Sequence, residues 1–90
     1  MIRNIKEYPI RIEQGIVQHI YLPTASQVVD IRKTDAGVSL IVLSGLSSDN
    51  QLRSFEVCMP NSNIYADKVT YLGSFEEDTL GILYIVEVGN

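Results

Sequence analysis

The sequence predicts an all-β domain of about seven short antiparallel strands in a meander, packed as a small sandwich or a partly closed barrel. Three observations carry this prediction. Apolar and polar residues alternate with a period of two through most of the chain, turn residues fall at hairpin spacing, and no stretch sustains a 3.6-residue apolar stripe.

Taken in order, Pro9 and Pro23 close strand-like segments and cannot donate within a central ladder, so they mark edge strands or strand ends. Between them, Ile16, Ile20 and Leu22 share one face of a strand, and Val17, His19 and Tyr21 share the other. Val29 and Ile31 alternate with Asp30 and Arg32. Asp35-Ala36-Gly37 then reads as a three-residue hairpin loop, leading into Ser39-Leu40-Ile41-Val42-Leu43, an apolar run expected of a strand covered on both faces. Ser47-Ser48-Asp49-Asn50 forms a second loop. Beyond it, Leu52, Ser54, Glu56 and Cys58 alternate with Arg53, Phe55, Val57 and Met59. The pattern lapses between Pro60 and Lys68, where at most one helical or 3₁₀ turn fits. Tyr71 to Phe75 resumes it, Glu77-Asp78-Thr79 reverses the chain, and Leu80 to Val88 is β-branched and aromatic in the manner of a last strand.

Ninety residues (1–90) allow one domain. Its 10.1 kDa mass implies that about 64% of the unfolded surface is buried on folding, enough for one thin core without a deep substrate cavity. The net charge of −4 arises from scattered acids. It opposes a phosphate-binding footprint, so no nucleic-acid partner is expected. The segment Met1 to Lys6 has no apolar core of signal-peptide length, and the longest apolar stretch, Gly37 to Leu46, is half a membrane span. The expectation is a cytoplasmic protein without a membrane partner.

The chemistry-bearing residues are few. Cys58 is the single cysteine, so an intrachain disulfide is impossible, and its strand context predicts a buried structural thiol. His19 is the single histidine, and one His with one Cys cannot complete a structural zinc site. No serine sits in a nucleophile elbow, and no Gly-rich phosphate loop precedes a helix. Glu76, Glu77 and Asp78 read as a solvated hairpin tip, which offers no burial to raise a carboxyl pKa. No catalytic residue, metal or cofactor is therefore expected, and a hydrolase built around His19 is the least favoured reading.

Recognition residues are easier to nominate. Five tyrosines without tryptophan suit wet-rimmed interfaces as well as the rim of a small β core. Tyr65 and Asn63 lie in the irregular segment, where loops on a β scaffold most often carry function. Tyr21 and His19, on one strand face, complete the set of expected contact residues.

Several segments stand out by their order and spacing along the chain: Lys6-Glu7-Tyr8-Pro9-Ile10, Ile20-Tyr21-Leu22-Pro23 before Ala25 and Val28, Arg53-Ser54-Phe55-Glu56-Val57, Tyr71-Leu72-Gly73-Ser74-Phe75 and Leu83-Tyr84-Ile85-Val86-Glu87. At that spacing the chain resembles a family of small bacteriophage-encoded all-β domains of unknown function. It departs from the family at Ile85, where a histidine is expected, and in the segment between Pro60 and Lys68. The matching motifs are prolines, turn glycines and strand apolars, so the resemblance implies a phage or prophage origin and a β fold, and leaves activity open.

The function expected is a non-enzymatic interaction module: a phage accessory protein that docks on a host or phage protein or a small ligand, with counter-defence as one such role. The alternative is a virion decoration or assembly component. Under either reading exposed β edges favour a homo-oligomer.

Overall fold

The computed structural model describes residues 2–46 and 49–89, and the expected alternation becomes seven strands with no helix among them. They are β1 (Arg3–Ile10), β2 (Val17–Pro23), β3 (Gln27–Thr34), β4 (Gly37–Gly45), β5 (Asn50–Cys58), β6 (Lys68–Glu77) and β7 (Gly81–Gly89). All pair antiparallel, in a three-stranded sheet ordered β1-β4-β3 and a four-stranded sheet ordered β2-β5-β7-β6. The sheets remain separate, so the fold is a sandwich and not a barrel. No helix among the described residues is long and apolar enough to cross a membrane.

The strand order is not the expected meander. Only β3–β4 and β6–β7 join sequence neighbours, whereas β1 pairs with β4, β2 with β5 and β5 with β7. Alternation specifies which face of a strand is buried, not which strand lies beside it. Connections after β1, β2 and β4 each carry the chain from one sheet to the other.

The two hairpins also differ in detail from the sequence reading. Thr34 pairs with Gly37, so the first turn holds two residues, Asp35 and Ala36, because Gly37 stays in the ladder. The Ala36 N–H donates to Thr34 Oγ1 at 3.3 Å. In the second hairpin Glu77 pairs with Gly81, and Leu80 belongs to the turn. Glu77 Oε2 accepts the N–H groups of Thr79 (3.1 Å) and Leu80 (2.8 Å), while Gly81 takes the positive φ of 82° that the reversal needs. Glu77 is thus a turn lock, not one more solvated carboxylate. Of the loop expected over Ser47 to Asn50, Ser47 and Ser48 lie outside the described residues.

The core lies between the sheets. Val38, Leu40 and Val42 of β4 face Phe55 and Val57 of β5 and Leu83 and Ile85 of β7, with Ile10, Leu22 and Phe75 around them. Among the described residues no second layer covers the other face of β4. Ser39, Ile41 and Leu43 are only half-buried there, between side chains of β1 and β3 that include the Glu7–Arg32 ion pair (3.3 Å). The apolar run through β4 therefore marks a central strand screened on its outer side by its neighbours.

Two polar clamps hold the layers. The buried Gln18 amide spans both backbone groups of Arg11: Oε1 accepts its N–H at 2.9 Å, and Nε2 donates to its carbonyl at 2.6 Å. Arg53 grips Glu87 with two 2.6 Å bonds and donates to the Ser26 carbonyl at 2.8 Å, tying β5 and β7 to the entry of β3. That contact raises the guanidinium pKa, chiefly through the hydrogen bond to Glu87.

Each of the four sheet edges carries an interruption. Pro9 lies within β1, Pro23 is the last residue of β2, and bulges interrupt β3 between Val28 and Asp30 and β6 between Tyr71 and Gly73. The β3 and β6 edges approach each other closely: a Cβ at Gly73 would stand 3.0 Å from Ile31 Cδ1. Only in β2 does the interruption fall at the strand end, leaving the interior of the edge regular.

Candidate functional site

The irregular segment acquires a shape from topology. Both β5 and β6 run antiparallel to β7, so they are parallel to each other, and residues 59–67 must cross β7 to join them. Cys58 is level with Tyr84 and Lys68 with Gly89, which sets about 17 Å along the strand plus two strand spacings of about 5 Å. Helical chain, rising only about 1.5 Å per residue, falls short of that distance. Accordingly the helical turn that the sequence allowed is one β-turn, closed by the Ser62 N–H on the Met59 carbonyl (3.2 Å) with Asn61 at φ 66°, and the rest of the crossover is irregular, with a bend at Asp67.

The crossover lies on the outer face of the four-stranded sheet. By register that face carries Val17, His19 and Tyr21 of β2, Ser54, Glu56 and Cys58 of β5, Val86 and Val88 of β7, and Val69 and Tyr71 of β6. Glu56, Cys58 and Val86 are buried although they point away from the sandwich core, and a covering segment explains their burial. The Cys58 thiol donates to Glu56 Oε2 at 3.5 Å. Burial, reinforced by the neighbouring carboxylate, pushes its pKa up to about 11 from 9.0.

This shift has a defined linkage. Between pH 9 and about 11 the unfolded chain releases the Cys58 proton while the folded chain keeps it. Stability contributed by the neutral thiol is therefore complete below pH 9 and lost as pH rises, at up to ~1.4 kcal/mol per unit. Urea unfolding of the wild type and of Cys58→Ser at about pH 8 and about pH 10 measures it. The wild type is expected to lose more stability than the variant, and equal losses would count against a buried neutral thiol.

Beside the crossover a shallow cleft of ≈ 190 Å³ opens, lined by Val17, His19, Ser54, Tyr65, Ala66, Val88 and Gly89. His19 and Ser54 are direct partners across β2 and β5, and their Nδ1 and Oγ atoms lie 2.8 Å apart. Val17, Ala66 and Val88 supply apolar walls, and Tyr65, 91% exposed, stands at the rim. The lining side chains include no carboxylate to orient the imidazole. Among the described residues no group of three or more His, Cys, Asp or Glu side chains is placed to hold a metal ion. The cleft can thus offer apolar contact, a phenol and one His–Ser hydrogen-bonding pair.

The structure brings together His19 and Tyr65, two of the four residues nominated by sequence. Tyr21 follows His19 on the same face, exposed beside Leu52 and outside the cleft lining. Asn63 is exposed on the crossover and does not line the cleft. Sequence reasoning missed Ser54 and Val88. Alternation placed Ser54 on the right face of its strand, but only the register sets it opposite His19.

The β2 backbone completes the site. The Thr24 N–H donates to the Asp49 carbonyl at 3.0 Å, which fixes the alternation of the ladder. Gln18, Ile20 and Leu22 exchange bonds with β5, while Val17, His19 and Tyr21 direct their N–H and C=O groups to the free edge. Pro23 falls in the outward set, so its missing N–H costs the sheet no bond. Comparison with family models, curated proteins and solved structures finds no match to the chain.

Proposed function

We propose that the chain is a non-enzymatic binding module that captures an extended segment of a partner protein along the free edge of β2. One observation carries this reading: Val17 and His19 wall the cleft and also belong to the one edge whose interior is free of proline and bulge. An added strand would bond the outward amides and carbonyls of Val17, His19 and Tyr21, and its alternate side chains would meet Tyr21, the His19–Ser54 pair and Tyr65. Main-chain bonds would then give affinity and the cleft specificity. Together with the phage-like spacing, this supports a phage accessory protein acting on a host protein. A second copy is the competing occupant of the same edge, and would make the assembly a homo-oligomer.

Affinity capture from bacterial lysate tests the proposal, with Tyr21→Pro and Tyr65→Ala alongside the wild type. Proline at Tyr21 removes an outward N–H and leaves the ladder to β5 unbroken. The wild type is expected to recover a specific protein that both variants lose. Capture unchanged by Tyr21→Pro, or no specific protein at all, would reject strand addition to a partner. A light-scattering mass twice that of the Tyr21→Pro chain would assign the edge to a second copy instead.

A further inference from the structure

The same outer face has a second region, two strands away from the β2 edge. On β6 the outward residues after Val69 are Tyr71, Ser74 and Glu76, and on β7 they are Ile82 and Tyr84. Tyr71 and Tyr84 stand with ring centroids 6.2 Å apart at 56°, and Tyr71 is 60% exposed, as neighbouring Val69 and Ile82 are in part.

The charges around these rings share one sign. All seven Lys and Arg side chains lie elsewhere. Arg3, Lys6, Arg32 and Lys33 belong to the three-stranded sheet, and Arg11 to the connection after β1. Arg53 is turned inward onto Glu87, and Lys68 falls in the inward-facing row with Gly89. The outer face of the four-stranded sheet carries only carboxylates: Glu56, buried with Cys58, and the exposed Glu76, with Asp67 on the crossover and Asp78 at the adjoining turn. Aromatic faces attract a cation through their quadrupole, and a guanidinium can stack on tyrosine while a nearby carboxylate takes its N–H groups.

We infer that the Tyr71–Tyr84–Glu76 surface docks an arginine-bearing polypeptide segment, with the guanidinium over the tyrosine rings and an apolar neighbour against Val69 or Ile82. Charge complementarity selects this occupant, since a second copy packed face to face would bring carboxylate against carboxylate. The site is independent of the β2 edge.

An NMR titration of the ¹⁵N-labelled whole chain tests it, using acetyl-Leu-Arg-Leu-Arg-Leu-amide and the same peptide with citrulline for arginine. Citrulline keeps the shape and removes the charge. The arginine peptide is expected to shift the amides of Ser74, Ile82 and Tyr84 and to bind about fivefold tighter than its citrulline analogue. Tyr71→Ala and Glu76→Gln should each weaken it, whereas Tyr71→Phe should retain most of the binding. The unbound spectra of the variants report directly whether they are folded. Equal affinity for the two peptides, shifts confined to β2 and Tyr65, or no shifts up to millimolar peptide would each overturn the inference.

Discussion

Truncating Phe55 to alanine is expected to cost about 3–5 kcal/mol, the largest loss of any single change in this chain. Phe55 is 1% exposed and is the largest of the fully buried side chains. It projects from β5, a strand with partners on both sides, into the space under β4. A thin sandwich has few ways to collapse around the hole, because both layers are held by their own ladders. A domain of this length has only about 5–13 kcal/mol of stability in total, so Phe55→Ala should be marginal at room temperature. Urea unfolding measures the loss, and Phe55→Leu, with a smaller void, should remain folded at roughly half the cost. A Phe55→Ala loss under about 1 kcal/mol would mean that the core is not built around this ring.

The second large effect concerns Arg53 and Glu87. Their side chains are 18% and 23% exposed, so neither ion is freely solvated. Removing the guanidinium by Arg53→Ala strands the Glu87 carboxylate and frees the Ser26 carbonyl, at about 2–3 kcal/mol, reduced from the fully buried case because water still reaches the pair. Arg53→Lys should recover only part of it, since an ammonium cannot reproduce the paired geometry. A double-mutant cycle with Glu87→Gln isolates the pair, and its coupling is expected to exceed about 1 kcal/mol. Additive losses would show that Arg53 acts independently of Glu87, through packing and its bond to the Ser26 carbonyl.

This pair also shows what the sequence made legible. Arg53 and Glu87 both belong to strand-like segments that alternation picked out, yet they are 34 residues apart and nothing local joins them. Period-two alternation sorted the residues of β2 and β5 onto their two faces and foretold about seven strands, because each strand must hide one side. Pro9 and Pro23 correctly marked edge strands, because proline has no N–H to give a ladder. Pairing was illegible: the same alternation is compatible with a meander and with the observed order, and the choice is made by contacts distant in sequence. The candidate site was half legible for the same reason. Tyr65 stood out as an aromatic in a segment without periodicity, and His19 as a lone imidazole, but their meeting at one cleft depends on a crossover dictated by strand order. The burial of Glu56 on the outer face was equally hidden, since an alternating carboxylate reads as solvated until something crosses above it.

The place of β7 has a consequence for biosynthesis. It is the strand between β5 and β6, yet a ribosome makes it after both. Until it emerges, β5 and β6 have no reason to lie parallel, the crossover has nothing to cross, and each exposes an unsatisfied strand edge to other nascent chains. The four-stranded sheet therefore closes only after its latest-made element emerges, when β7, already in a hairpin with β6, pairs with β5 across a long stretch of sequence, a correspondingly slow step. Ribosome-stalled chains ending before Gly81 should be protease-sensitive throughout β5 and β6, and β7 supplied in trans should restore protection to both.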